Sequence, residues 1–337
     1  MRKAIFNQAD WKLCNVPHPT TPPAGQWPSN AYTYAPTHVG VHYAPSGFNG
    51  SKVWLCASPY AGYAYENPCI WQSDDSEYPP KDFIPYTKNP IIGKIGEPNT
   101  SDFNSDPDVI IVNDELLVIN RETYRAEPPT IIYSSYHRGV FTNGVLTDFE
   151  QGVKVIDQLD VENYNIHIMS PAWAFINGKY TIFDINSGSY NYADKNNECM
   201  YIRMSQAQTL GLDAMAEVRK IGILGHQIEP WHLSVFEYAG RYYSIICGTT
   251  RGVPSISSGR IYLAEFDANV KNLFIYSKPL FELRAYRSDA YVDENGLFVL
   301  YANTFEDTSY GGYSGTQGKD IFVASMDFET LLKKLRS

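Results

Sequence analysis

One cassette recurs five times along this chain, and that repetition constrains the fold more than any single residue does. Each copy opens on a polar or aromatic strand start and continues into an apolar strand. A tight turn, an aromatic-rich second strand, a loop and a third strand follow. The first strands open at 37–42, 105–112, 170–175, 230–236 and 286–292, with His38, Asp106, Ser170, Trp231 and Arg287 as markers spaced by about sixty residues. The second strands, at 52–58, 115–121, 179–185, 241–248 and 297–303, follow Asn49-Gly50, Asn113-Asp114, Asn177-Gly178, Ala239-Gly240 and Asn295-Gly296. Such residue pairs tolerate the positive φ angles of a two-residue hairpin turn. Third strands fall at 65–73, 130–136, 199–205, 259–266 and 319–326, while a fourth per repeat is hard to see.

A repeat of this length built from three or four antiparallel strands is the signature of a propeller blade. A two-sheet sandwich would not require the same cassette five times. The fold expected is therefore all-β, a five-bladed β-propeller over 37–337 with blades starting near 38, 106, 170, 231 and 287. Residues 1–36, rich in proline, read as an extended N-terminal arm. Helical periodicity is weak and confined to 207–220 and 328–336.

The net charge of −10 gives no electrostatic footprint for nucleic acid or an anionic membrane, so neither is expected as a partner. No apolar run approaches the ~20 residues of a membrane span. The opening residues turn polar before a signal-peptide core could form, so a cytoplasmic or virion-associated protein is expected, extracellular only by a non-classical route. Cys14, Cys56, Cys69, Cys199 and Cys247 lack metal-ligand spacing and sit mostly in apolar runs, which reads as buried free thiols.

In a propeller, first strands line a central channel. Their starts, the ends of second strands and the starts of third strands meet at one channel mouth. That rule gathers His38, Asp106, Asp108, Trp173, Glu229, Trp231, His232, Arg287 and Asp289 from first strands, Arg121 and Glu122 from a second-strand end, and Glu66 from a third-strand start. Carboxylates, arginines and aromatic rings in one funnel suit sugar chemistry. Paired carboxylates supply acid and base or nucleophile, arginine forks hydroxyls or a sugar carboxylate, and aromatic faces stack on the sugar ring. The catalytic candidates are Asp106, Glu229, Glu122 and Asp289, with Asp106 as base or modulator and Glu229 as acid. The substrate-binding candidates are His38, Glu66, Arg121, Trp173, Trp231, His232 and Arg287. No cofactor is required by that chemistry, and the sequence marks no metal site, although a structural or channel cation such as calcium is compatible with the funnel.

The chain resembles the five-bladed propeller glycosidases of glycoside hydrolase families 43 and 32. Ser105-Asp106-Pro107-Asp108-Val109, followed by an Asn-Asp turn and an apolar strand, is similar to the Asp-Pro strand openings of family 43. It also resembles a group of phage and Gram-positive bacterial proteins in Gly47-Phe48-Asn49-Gly50, Tyr65-Glu66-Asn67-Pro68-Cys69-Ile70, Asn89-Pro90, Trp231-His232-Leu233 and Tyr286-Arg287-Ser288. The resemblance implies hydrolysis of an oligo- or polysaccharide. Three departures qualify it. Thr37-His38-Val39-Gly40 has no carboxylate where family 43 carries a catalytic aspartate, Glu229 lies about two residues early for the acid, and Ser234 replaces an aspartate of the phage group. These losses fit a differently built active site, or a module that grips glycan without cleaving it, for instance in a phage tail among other tail proteins.

Overall fold

The computed structural model describes residues 3–17, 35–60, 67–91, 103–124, 131–157, 168–186, 200–215, 217–250, 259–281, 285, 287–303 and 321–337. Its strands form five sheets, antiparallel except for one outer pair in blade 4. Blade 1 is built from Ala35–Phe48, Ser51–Tyr60, Cys69–Ser73 and Phe83–Pro85. Blade 2 comprises Phe103–Val112, Glu115–Tyr124, Ile131–Thr142 and Val153–Asp157, with Val145–Phe149 extending its third strand as a hairpin. Blade 3 contains Ile168–Ile176, Lys179–Asn186, Tyr201–Ala207 and Val218–Lys220. Blade 4 runs Ile228–Tyr238, Arg241–Thr250, Arg260–Phe266 and Asn272–Ile275, and Gly222–Gly225 adds a parallel outer strand. Blade 5 holds Asp289–Val292, Leu297–Asn303, Ile321–Asp327 and, outermost, Lys12–Leu13 from the N-terminal segment.

The first strand of each blade touches the first strands of both neighbours, and blade 5 touches blade 1, so the ring is closed around one axis. Five hydrophobic clusters lie between successive blades. That placement explains the unbroken apolar runs of the second strands, because both faces of a blade are covered. In blade 2, Leu116 and Val118 join the core shared with blade 1, whereas Leu117 and Ile119 join the core shared with blade 3. All four are fully buried. The turns at Asn49-Gly50, Asn113-Asp114, Asn177-Gly178 and Ala239-Gly240 have positive φ at both residues, as two-residue hairpins demand.

The N-terminal arm is less separate than the sequence suggests. Lys12 and Leu13 pair with Val323 and Phe322, which covers the last blade's outer edge. Ile5 and Phe6 sink into the core between blades 4 and 5. The helix Phe328–Arg336 packs Phe328, Leu331, Leu332 and Leu335 into the same core, and Asp327 caps it by accepting from Thr330 N at 2.8 Å. The other expected helical stretch, 207–220, is instead a strand end, a run of turns and the short strand Val218–Lys220. Its apolar residues Ala207, Leu210 and Met215 pack on the core between blades 2 and 3 from this turn-rich segment.

Candidate functional site

In blades 1 to 3 the first strand slips register at the same place. Between Thr37 and Gly40, Ser105 and Asp108, and Met169 and Ala172, two residues oppose one on the second strand. Such a bulge re-aims a side chain and leaves its residue out of the ladder. The first bulged residue is His38, Asp106 or Ser170, and each adopts a left-handed φ, of 59°, 54° and 49°. Aspartate and histidine tolerate that region better than most residues. Blade 4 slips between Pro230 and His232.

The result is two layers of side chains across the channel. The upper layer brings together His38, Asp106, Ser170, His232 and Arg287; the lower holds Gly40, Asp108, Ala172, Ser234 and Asp289, each two residues further on. In the upper layer His38 Nε2 donates to Asp106 Oδ1 at 3.1 Å. The other oxygen, Oδ2, accepts from Arg121 Nη2 and from Ser170 N, both at 3.2 Å. Ser170 Oγ contacts His232 Nδ1, and the two imidazole rings meet edge to face at 5.2 Å. Arg121 also donates to Ser105 Oγ through Nε at 3.0 Å and Nη2 at 2.7 Å.

The lower layer staples neighbouring blades. Asp108 accepts from Trp173 N of blade 3 at 2.8 Å, and Asp289 accepts from Val41 N of blade 1 at 2.7 Å. Ser234 donates to Ser288 O of blade 5 at 3.2 Å. Arg287 is fully buried; it donates to Asp106 O at 2.8 Å and Pro171 O at 3.0 Å, and pairs with Asp108 at 3.5 Å.

Electrostatics separate the two layers. Burial alone would push the Asp106 carboxyl up, but Arg121, the two histidines and Arg287 outweigh it and hold the group well below the usual carboxylate range. Burial pushes His38 down to about 4, against the pull of Asp106, and His232 well below its ordinary value. At neutral pH the upper layer thus presents an anionic carboxylate between two neutral imidazoles. In the lower layer burial raises Asp108 to about 6, and burial together with the Asp108 charge raises Asp289 well above the carboxylate range. A cavity of about 430 Å³ continues the channel below this layer, lined by Asp108, Asp289, His42, Tyr43, Trp173 and Tyr291 among others.

Of the residues singled out in the sequence, His38, Asp106, Arg121, His232 and Arg287 meet in one network. Glu122 turns to the opposite strand face from Arg121, where it accepts from Tyr124 and Tyr133 at 2.8 Å and from Ser135. Glu229 accepts from Met200 N, on the third strand side of blade 3. Asp289 lies in the lower layer. Trp173 and Trp231 pack into the cores between blades 2 and 3 and between blades 3 and 4, respectively. Glu66 lies outside the described residues. Ser170 was not among the candidates, although its place as a first-strand marker was the signal that could have found it. Cys14, Cys56, Cys69 and Cys247 are buried free thiols, as the sequence suggests, and Cys199 lies outside the described residues.

No protein-family model matches the chain, and no curated protein matches it in sequence. Solved structures do match in fold. An N-acetylgalactosamine deacetylase from F. plautii, in complex with blood group B trisaccharide, superposes with a TM-score of 0.65 at 17% identity over 89% of this chain and 92% of its own. The GH43_1 enzyme from Xanthomonas citri, complexed with xylotriose, gives 0.53 at 13% identity over 88% of each chain. A levansucrase variant from B. megaterium gives 0.58 at 8% identity over 96% of this chain and 92% of its own. The molecule is thus a five-bladed β-propeller, and its structural neighbours include glycoside hydrolases of the family 43 and 32 type. Nothing in these comparisons supports the alternative reading of a phage tail component. Among the described residues no helix is long and apolar enough to cross a membrane.

Proposed function

We propose that this protein is a carbohydrate-active hydrolase that works on an oligo- or polysaccharide at the upper end of the channel, with Asp106 at its centre. One observation carries the reading: residues of four blades meet at an Asp106 carboxylate that is held ionised between His38 and His232 and steadied by Arg121 and Ser170 N. An anion fixed in that way can activate water or stabilise a cationic transition state, and it cannot serve as a proton donor. The named neighbours that bind or act on sugars with the same fold add support.

The acid of a paired-carboxylate glycosidase is less well provided for. Glu122 and Glu229 are engaged within or beside their own blades, and the carboxyls with raised pKa, Asp108 and Asp289, are occupied by backbone N–H groups in the layer below. The geometry therefore favours water activated at the Asp106 and histidine cluster over a carboxylate pair. That reaction would suit a glycosidic bond or a sugar's acyl substituent.

The test is incubation of the wild type with arabinans, xylans, fructans and acylated amino-sugar glycans, reading both released reducing ends and released acid. Turnover is expected on at least one, and Asp106→Asn should lower it by roughly 10³-fold or more while glycan binding changes little, since stabilisation specific to the transition state is what the charge supplies. Binding without turnover on the true ligand would return the protein to a lectin-like role.

A further inference from the structure

We propose that His38, Asp106 and His232 together form a site for one divalent transition ion, of the zinc, cobalt or nickel kind, on the channel axis. The proposal concerns the site to which hydrolysis is assigned above, but it is a statement about binding, so each can fail without the other.

The ligand atoms of the three residues all lie within 4.8 Å of one another, and all three residues are buried. An ion about 2.0–2.2 Å from each of three ligands holds them roughly 3–4 Å apart, so small side-chain rotations close the site. The donor set decides the class of ion. Calcium and magnesium call for six or more oxygens, whereas two imidazoles and one carboxylate suit zinc and its neighbours and leave a coordination position for water or substrate.

The surroundings fit as well. Metal-bound carboxylates and imidazoles need partners that fix their orientation. Arg121 Nη2 and Ser170 N hold Asp106 Oδ2, which turns Oδ1 toward His38, and Ser170 Oγ sits against His232 Nδ1. Two arginines nearby count against a cation. Arg287, however, spends its charge on Asp108 and on the main-chain oxygens of Asp106 and Pro171. Arg121 remains beside Asp106 and lowers the affinity.

The rival assignment is a Ser170 nucleophile with His232 as its base. Two features disfavour it. The left-handed φ of Ser170 is shared with His38 and Asp106 at the same bulge, so it belongs to the strand and is no mark of a nucleophile. The carboxylate that would orient the base is bonded to His38.

The experiment is a titration of chelator-treated full-length protein with Co²⁺, followed by visible absorption and competed with Zn²⁺. One ion per chain is expected. His38→Ala and His232→Ala should each weaken binding by about 100-fold or more, and His226→Ala, outside the cluster, should leave it unchanged. Should the alanine variants fail to fold, His38→Asn and Asp106→Asn replace them, and melting temperature gives a second readout. Zn²⁺ should raise the melting temperature of the wild type and not that of these variants, and Ca²⁺ at the same concentration should not raise it. No saturable binding, binding that survives both histidine changes, or equal stabilisation by Ca²⁺ would overturn the assignment. Glycan turnover by protein that binds no ion saturably would sink this inference and leave the proposed function standing; stoichiometric binding without turnover would do the reverse.

Discussion

His137 shows how one buried side chain can be read for its effect on stability. It is almost fully buried in blade 2; its Nδ1 donates to Glu150 O at 3.3 Å and its Nε2 lies 3.5 Å from Ser135 Oγ. Gly152 makes the room, since a Cβ there would stand 2.5 Å from the ring. Burial lowers the His137 pKa below its ordinary value, against the charge of Glu122. As pH falls below about 6.5 the unfolded chain takes up the proton before the folded one does, so the contribution is full above that pH and is lost on acidification. Between pH 7.5 and 5 the wild type should lose more melting temperature than His137→Gln. Equal losses would show that the imidazole is not held neutral. None of this was legible from the sequence, where His137 is one polar residue in a strand and its neighbours Glu122 and Glu150 come from the adjacent strand and from the loop after Phe149.

Strands and turns were the most legible level. The Asn-Gly type turns and apolar second strands announced themselves through local backbone demands, whereas fourth strands as short as Phe83–Pro85 and Val218–Lys220 carry too few residues for a period to show. The bulges at His38, Asp106 and Ser170 were invisible, because an extra residue in a ladder shows only against its partner strand. Arg287 illustrates the consequence. Its place near a first-strand start suggests substrate holding, yet it lies two residues before the strand Asp289–Val292 and its Nη donors tie blade 5 to carbonyls of blades 2 and 3. Arg287→Met should therefore lower stability by about 3 kcal/mol or more, the scale for leaving a buried charge such as Asp108 without its partner. Denaturant unfolding measures it. An unchanged midpoint with weakened glycan binding would restore the sequence-based role.

Over the whole molecule, five cores between five blades follow from the repeat, and the channel follows from the cores. Which side chains meet across that channel does not follow. The pairing of His38 with Asp106 joins blades 1 and 2, that of Ser170 with His232 joins blades 3 and 4, and Arg287 reaches back to Asp106 from the end of the chain. Sequence narrowed the site to a ring of strand starts; the bulged geometry selected the His38, Asp106 and His232 cluster from it. The channel also offers a competing location, the cavity of about 430 Å³ below Asp108 and Asp289. The deciding measurement is a crystal structure of Asp106→Asn with the glycan that the wild type turns over. Sugar atoms are expected at the upper end, within about 2.6–3.2 Å of a polar atom of residue 106, His38 or His232; glycan seated in the lower cavity or along a blade's outer edge, with that cluster untouched, would contradict the assignment.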